Sequence, residues 1–477
     1  MINNDYKLFK QYLKRDWYIQ GFSAVPLFLS TAAMSGTFMK RYLGFGYRHF
    51  LFNYHNGYGE MAYDPEDFKN IWLVIKKKIA VNPSYLKDIK RLYHQNLNQF
   101  KPFFKKIKQT DLTKLSEQEI IKIFQELIFA QLENVGVSHI IDAIGFELEK
   151  EFKKSLEAEL PRTSIVRFNE IFSNLITPSK ISFVNQEEED LSKIKGGIKN
   201  KKALEKHLAK YFWIQNSYAG PKLLTVDDFS KKLISLKKER KRIKNNSQDY
   251  LPYHFSQKLR RIINIIDYCA VWQDERKALI FQNVSYAGWI LQEISRRLNQ
   301  DVEIFYYLSL TEVKKLKSLS ELAKKTLILK ERQKGCLMII RGEDNKVICG
   351  AKYRQLMKKD KSLVKNNSSN NQELHGTVAN IGTVQGRVKI IRNMVSLNKF
   401  QSGNILVASM TRPEYMSAIK KAAAIITDEG GITCHAAIIA RELNIPTIIG
   451  TKNATQILRD GDLIEVNANH GVIRIIK

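Results

Sequence analysis

The chain has 477 residues, of which 44% are hydrophobic and 26% are charged, a composition that excludes a disordered or membrane-embedded protein. At this length we expect two to four domains. The net charge is +29, but the excess lysines follow helical patterns typical of solvated faces. The charge therefore does not favour nucleic acid as the main partner, although it favours anionic substrates.

The N-terminus does not have the basic and then apolar order of a secretion signal. The most apolar early stretch, residues 22–34, is interrupted by serines and a proline and is too short to span a bilayer. Cys269, Cys336, Cys349 and Cys434 form no pair with the spacing of a metal site. We therefore expect a cytoplasmic protein with reduced thiols, no membrane contact and no bound metal.

Residues 1–357 are predicted to form a mainly helical region of one or two subdomains. Within it, Ser116 and Glu119 have the spacing of a capping box before an apolar stripe at helical spacing. Further helices are predicted at residues 229–236, 255–280 and 284–298.

Two sets of side chains in this helical region have residue types that occur in binding sites. Aromatic residues and glycines cluster at residues 45–50 and 54–59, and His207 lies near Tyr211 and Trp213. The first set could line an acceptor pocket, but both sets are at least as typical of a packed core.

Residues 358–374 contain few apolar side chains and are rich in lysine, asparagine and serine. This composition predicts a flexible linker. It separates the helical region from residues 375–477, whose pattern is different.

The most informative motif is TDEGGITCHAA at residues 427–437. The surrounding pattern predicts a strand at residues 422–426, a turn at the two glycines, a helix at residues 436–443 and a second strand at residues 447–450. His435 would then lie at the positive end of the helix, where free backbone N–H groups favour an anionic phosphoryl group. A neutral imidazole is also a competent nucleophile.

The run GGITCHAAIIARELNIP at residues 430–446 resembles the signature of the phosphohistidine swivel domain of PEP-utilising enzymes. Phosphoenolpyruvate synthase, pyruvate phosphate dikinase, rifampicin phosphotransferase and phenylphosphate synthase belong to this family. The flanking residues 376–379, 386–389, 403–407, 411–414 and 460–472 resemble the same domain. The resemblance implies an α/β swivel domain after the helical region, and the helical region itself has a weaker similarity at residues 204–213, 274–276 and 304–313.

The resemblance also implies roles for individual residues. His435 would be the nucleophile that carries the phosphoryl group, and Gly430, Gly431, Thr433 and Ala436 would surround that group. Arg412 would neutralise phosphate charge from a neighbouring loop. Thr433 is in addition a candidate regulatory phosphorylation site, although a helix cap is the more ordinary role for this threonine.

Family members usually begin with an ATP-grasp domain, and some end with a pyruvate-binding barrel. Neither a glycine-rich phosphate loop nor a Mg²⁺-binding acidic pair is evident in residues 1–200. We therefore expect no directly bound cofactor, with ATP and Mg²⁺ on a separate ATP-grasp partner that phosphorylates His435.

The leading hypothesis is thus one subunit of a split phosphotransferase that passes the phosphoryl group to a small-molecule acceptor in the helical region. The alternatives are a non-catalytic phosphocarrier that binds a protein partner, and an inactive remnant of such an enzyme. A partly polar cavity that faces His435 would favour the enzyme. A flat, exposed apolar patch would favour partner binding.

Overall fold

The computed structural model describes residue 9 and residues 17–55, 57–161, 163–239, 254–342, 344–359, 373–392, 394–411, 415–431 and 434–476. Residues up to 359 are called here the N-terminal part, and residues 373–476 the C-terminal part.

The elements of the N-terminal part are, in chain order, β1 (Tyr18–Ser23), α1 (Pro26–Leu43), β2 (His49–His55), β3 (Tyr58–Tyr63), α2 (Pro65–Val81), α3 (Tyr85–Gln109), α4 (Glu117–Gly136), α5 (Ile140–Glu159), α6 (Ile165–Leu175), α7 (Phe183–Ser192), α8 (Lys201–Tyr211), α9 (Val226–Glu239), α10 (Gln257–Leu298), α11 (Val302–Phe305), α12 (Leu310–Lys314), α13 (Leu319–Lys324), α14 (Thr326–Lys334), β4 (Cys336–Arg341), β5 (Asp344–Cys349) and α15 (Gly350–Lys359). Those of the C-terminal part are β6 (Glu373–His375), β7 (Thr377–Asn380), β8 (Thr383–Ile390), α16 (Met394–Asn398), β9 (Ile405–Ala408), α17 (Met416–Ile419), β10 (Ala424–Thr427), α18 (His435–Leu443), β11 (Thr447–Ile449), α19 (Ala454–Ile457), β12 (Leu463–Asn467) and β13 (Val472–Ile476).

Helices make up most of the N-terminal part, as the sequence predicts. The capping box at the start of α4 is confirmed, because the Ser116 N–H donates to Glu119 Oε2 at 2.7 Å and the Glu119 N–H donates to Ser116 Oγ at 3.3 Å. The predicted helix at residues 229–236 is the centre of α9.

The prediction of two helices at residues 255–280 and 284–298 is wrong, because α10 is one continuous helix of 42 residues. Neither proline nor glycine interrupts residues 281–283, and Phe281 and Asn283 are buried there. The uninterrupted helix is about 60 Å long. It therefore brings residues near its middle against several other helices.

A five-stranded antiparallel sheet in the N-terminal part was not predicted. Its strand order is β1-β3-β2-β4-β5, and Phe50 of β2 lies opposite Ile340 of β4. The middle residues of β2 and β4 are buried without alternation, so these strands have continuous apolar runs that periodicity cannot distinguish from buried helix. The sheet joins the beginning and the end of the N-terminal part.

One helical stretch, Glu117–Glu159, is long and apolar enough to cross a membrane by length and composition alone. In the structure, 89% of its most apolar window is buried inside the protein. Such burial is typical of a core helix in a soluble protein.

The C-terminal part is built on an eight-stranded sheet with the order β6-β13-β12-β8-β9-β10-β11-β7. Strands β8 to β11 are parallel to one another, and the outer strands pair antiparallel. Apolar residues of α18, including Ala437 and Ile439, pack on one face of this sheet. The predicted strand, turn, helix and strand around His435 are all present, with boundaries that differ by at most two residues.

The predicted linker at residues 358–374 lies mostly outside the described residues. Lys358 and Lys359 end α15, and Glu373 and Leu374 begin β6. The domain boundaries and the mobility of the linker stay predictions.

The C-terminal part packs directly against the N-terminal part. The buried Ser173 hydroxyl donates to the Ala379 carbonyl at 2.8 Å, and Lys420 pairs with Glu188 at 2.9 Å. Val184 of α7 packs into the apolar cluster that also contains α18. These contacts place the start of α18 against the helices of the N-terminal part.

Candidate functional site

The segment before His435 is a tight loop that follows β10. Gly430 has φ = +119°, a backbone conformation that side-chain-bearing residues rarely adopt. The Glu429 N–H donates to the Ser409 carbonyl at 2.9 Å, which ties the loop to the end of β9. The loop therefore holds the first residue of α18 close to the end of β9.

His435 is the first residue of α18 and is partly buried. Its Nδ1 atom lies 3.0 Å from the Oγ1 atom of Thr411, a buried residue just after β9. This hydrogen bond fixes the orientation of the imidazole ring. The other ring nitrogen, Nε2, is not bonded to Thr411. The position at a helix N-terminus favours negative charge beside the ring.

A cavity of about 160 Å³ lies where the two parts meet. The residues of the C-terminal part that line it are Met410, Thr411, Glu429, Gly431, Cys434, His435 and Ala436. The opposite wall belongs to the N-terminal part and includes a group of aromatic side chains. Its aromatic side chains are Tyr18, Tyr63, Phe68, Phe146, Tyr218 and Phe281.

A polar cluster from three segments of the N-terminal part completes that opposite wall. Asp142 of α5 accepts hydrogen bonds from Arg276 of α10, with Nη2 2.7 Å from Oδ1 and Nη1 2.8 Å from Oδ2. The Nδ1 atom of His139 lies 2.8 Å from Asp142 Oδ2, and its Nε2 atom lies 2.7 Å from Ser35 Oγ. The carboxylate is thus held in one orientation.

The charges of this cluster are set by burial and by the ion pair. Burial acts to raise the pKa of Asp142, but the charge and hydrogen bonds of Arg276 outweigh it and hold that pKa well below its usual range. Burial and the neighbouring Arg276 lower the pKa of His139. At neutral pH, Asp142 is therefore ionised and His139 is neutral.

The structure brings four of the six predicted site residues together. Gly430, Gly431, His435 and Ala436 are contiguous with the cavity wall, and a Cβ atom added to Gly431 would lie 2.4 Å from Glu149 Oε2 of α5. Arg412 and Thr433 lie outside the described residues. The chemical roles of all six stay predictions.

The other candidates do not line this cavity. His207 is buried, with Nε2 2.9 Å from Glu187 Oε1, and Tyr211 donates to Asp190 at 2.6 Å. In the first aromatic cluster, Tyr47 and Phe50 are buried and pack on each other behind the cavity wall. These residues have the contacts of a packed core.

The sequence analysis did not predict Asp142 or His139. It included Thr411 and Arg276 only within longer segments that resemble the PEP-utilising family. No local pattern marks Asp142, because its partners come from α10 and from the turn before α5. The spacing of His139 and Asp142 on one helical face is the only signal that the sequence carries.

Within the described residues, no group of three or more His, Cys, Asp or Glu side chains is arranged to hold a metal ion. The four cysteines are free thiols. The expectations about metal, ATP and Mg²⁺ stay predictions.

Comparison with known proteins identifies relatives of the C-terminal part. Residues 400–471 match the family model described as PEP-utilising enzyme, mobile domain. A probable phosphoenolpyruvate synthase of Methanothermobacter thermautotrophicus is 50% identical over 98 residues, which are 20% of this chain and 14% of that protein. The uncharacterised phosphotransferase YvkC of Bacillus subtilis is 43% identical over 115 residues, 24% of this chain and 14% of that protein.

This chain therefore spans about one seventh of the length of these two relatives. Among solved structures, a chain of holo-form aconitase X from Thermococcus kodakaraensis aligns with 22% of this chain and all of its own length. The identity is 20% and the TM-score is 0.19, too low to support an argument about fold.

Proposed function

We propose that the protein is a phosphotransferase subunit, because its C-terminal part carries the mobile domain of PEP-utilising enzymes. The sequence resemblance predicted this domain. His435 carries the phosphoryl group on Nε2, and a small-molecule acceptor in the cavity receives it. The observation that supports this proposal is the shared cavity, which is lined by His435 and by the polar cluster of the N-terminal part.

The chemistry divides one transfer into two displacements at different places. A separate ATP-grasp protein with bound ATP and Mg²⁺ phosphorylates His435 while the C-terminal part is turned away from the cavity. The domain then docks as in the present structure and presents the phosphoryl group to the acceptor. Covalent storage on histidine allows each step to occur in its own closed site.

Several groups favour the docked transfer step. Thr411 holds Nδ1, so the phosphoryl group is carried by the nitrogen on the other side of the ring. The N–H groups at the start of α18 and the loop at Gly430 and Gly431 stabilise phosphoryl oxygens. Lys277 also lines the cavity and adds positive charge.

The partly polar cavity favours this enzyme over a phosphocarrier that binds only a protein partner. The free thiols accord with a cytoplasmic location, which is part of the proposal. Regulation at Thr433 and charge neutralisation by Arg412 also remain proposals.

The test is the position of phosphate on the protein isolated from its own cells, mapped by mass spectrometry at neutral to alkaline pH. We expect phosphate on His435 in the wild type and in His470→Ala, and none in His435→Ala. His470 is a suitable control because it lies in the exposed turn before β13. Equal labelling of the two variants, or an unmodified His435 in energised cells, would contradict the proposal.

A further inference from the structure

We propose that Asp142 holds the reacting hydroxyl group of the acceptor in line with the phosphoryl group on His435. This inference rests on the proposed function, in which the cavity is the acceptor site. It assigns a catalytic residue in the N-terminal part. It also assigns the acceptor class, a small molecule with a neutral hydroxyl group on an apolar, ring-sized body.

Asp142 lines the cavity that the acceptor would occupy. Asp142 and His435 line the same cavity from the two different parts of the protein. The Asp142 side chain is 21% exposed, whereas the Arg276 and His139 side chains that hold it are 7% and 9% exposed. The carboxylate is therefore the member of the polar cluster that an acceptor in the cavity reaches most easily.

The Asp142 carboxylate also has hydrogen-bonding capacity to spare. An ionised carboxylate has about four lone-pair sites. Oδ2 accepts from His139 Nδ1 and Arg276 Nη1, and Oδ1 accepts from Arg276 Nη2. These three bonds fix the carboxylate and leave acceptor capacity on Oδ1 for one O–H donor.

The hydrogen-bonding groups of the cluster select the reacting group. Arg276 is already paired with Asp142 in a bidentate ion pair, so its charge is neutralised locally. The Asp142 oxygens can only accept hydrogen bonds, so a carboxylate or phosphate oxygen without a proton finds no donor on them, whereas a hydroxyl group donates to Oδ1. The reacting group is therefore a hydrogen-bond donor without negative charge.

The aromatic wall indicates what the rest of the acceptor is like. The Phe68 and Phe146 rings stack with centroids 4.9 Å apart, and the Tyr18 ring lies 5.0 Å from Phe146. Flat aromatic faces of this kind bind apolar or ring-shaped bodies. A volume of about 160 Å³ limits that body to small-molecule size.

The transfer step exchanges one bond to phosphorus for another. The acceptor oxygen forms a bond to phosphorus as the bond between phosphorus and His435 Nε2 breaks. The electron pair of that bond returns to the imidazole, which leaves as a neutral ring when Nδ1 carries a proton. The hydroxyl proton passes to Asp142, late in a loose transition state, and is afterwards released to water.

The experiment uses the full chain, with His435 phosphorylated by potassium phosphoramidate, a reagent that phosphorylates imidazole without a protein partner. Benzyl alcohol is the hydroxyl probe, and benzoate is its carboxylate counterpart of similar size. Formation of benzyl phosphate is followed by phosphorus NMR, and phosphohistidine on His435 is followed by mass spectrometry. We expect Asp142→Asn to retain phosphorylation of His435 but to form benzyl phosphate at least about 100-fold more slowly.

Glu312→Gln is the matched control, because Arg332 binds Glu312 in the same bidentate way, at 2.6 and 2.9 Å, away from the cavity. It removes the same charge from a comparably buried pair, and we expect transfer within about twofold of wild type. Asp142→Glu retains the ion pair while it displaces the carboxylate by one methylene. We expect it to fold and to transfer about tenfold more slowly, which tests the proposal even where Asp142→Asn does not fold.

The outcomes separate this inference from the proposed function. If Asp142→Asn or Asp142→Glu transfers at the wild-type rate, or if the wild type forms no benzyl phosphate, the inference is wrong. Benzoate should slow the transfer more in Asp142→Asn than in wild type, and equal inhibition would also contradict it. If phosphoramidate modifies His435 no faster than the exposed His470, the proposed function itself fails.

Discussion

At the scale of single residues, the site around His435 is assembled from side chains that are far apart in the sequence. His435 is marked by its own neighbours, two glycines before it and an apolar helix after it. Thr411 is 24 residues away and reaches His435 only because β9 and β10 are adjacent parallel strands. Asp142 is still more distant and becomes part of the site only through docking of the C-terminal part. Local pattern therefore predicts the position of His435 at the start of a helix, and only tertiary structure gives the side chains around it.

The hydrogen bond between Thr411 and Nδ1 predicts which ring nitrogen is phosphorylated. Thr411→Val keeps the side-chain shape but removes the hydroxyl group, a loss of about 1 kcal/mol, or about fivefold in preference. We expect phosphoramidate to label Nε2 almost alone in wild type and a mixture of Nδ1 and Nε2 in Thr411→Val. Phosphorus NMR distinguishes the two phosphohistidine isomers.

Thr451→Val is the control for this experiment. The Thr451 hydroxyl donates to the Thr427 carbonyl at 3.0 Å and is buried in the same part of the protein, but it does not contact His435. In Thr451→Val, phosphoramidate should label Nε2 as it does in wild type. A loss of selectivity in Thr451→Val as well would mean that general loosening, and not the Thr411 bond, directs the label.

At the scale of elements, prediction succeeded where the signal was local. The capping box of α4 and the unit β10, α18 and β11 were predicted because caps, glycines and short apolar runs lie within the elements themselves. The N-terminal sheet was missed because β2 is completed by β4, far along the chain. Helix α10 was divided in the prediction although nothing in its sequence ends a helix there. A single sequence says least about the pairing of distant strands and about helices that continue because no residue ends them.

The close approach of the Gly431 loop to α5 gives a prediction about contact between elements. A Cβ atom at residue 431 would lie 2.4 Å from Glu149 Oε2, so Gly431→Ala forces the Glu149 carboxylate to move. We expect Gly431→Ala to lower the free energy of unfolding by about 1 kcal/mol, and Glu149→Ala to relieve most of that loss. Urea unfolding of both single variants and the double variant measures this coupling.

Gly403→Ala is the matched comparison for that cycle. Gly403 has φ = +85° and no neighbour within 4 Å of an added Cβ atom, so its cost comes from backbone strain alone. That cost should be the same in the wild-type background and in the Glu149→Ala background. If Gly431→Ala, like Gly403→Ala, lowers the free energy of unfolding equally in both backgrounds, the Gly431 loop does not press on α5.

At the scale of the whole molecule, carboxyl groups lie between the two parts near the start of α7. The N–H and hydroxyl groups of Ser182 donate to Glu442 of α18 at 3.1 and 3.2 Å, and the Phe183 N–H donates to Asp274 of α10 at 2.7 Å. Glu188, which pairs with Lys420, is also close to Glu442. Three acidic side chains thus meet at the surface between the two parts, which the proposed function requires to open and close.

This arrangement predicts that docking weakens as the pH rises. Burial, opposed by the Ser182 hydrogen bonds and assisted by Asp274 and Glu188, raises the pKa of Glu442 from 4.5 to about 7. Burial also raises the pKa of Asp274 to about 6, although the Phe183 N–H and Lys277 oppose it. Because the docked state binds the proton more tightly, its stability is greatest below pH 4.5 and falls as the pH rises to about 7. We expect small-angle X-ray scattering to show a larger radius of gyration at about pH 8 than at about pH 5.5.

Glu442→Gln removes the strongest of these titrations while keeping an oxygen that accepts hydrogen bonds from Ser182. The change in radius of gyration with pH should therefore shrink in Glu442→Gln and shrink further when Asp274→Asn is added. Glu373→Gln is the control, because Glu373 is paired with Arg474 within the C-terminal part and its pKa is lowered by that bond. If Glu442→Gln keeps the full change in radius of gyration with pH, groups other than these carboxyl groups control that change.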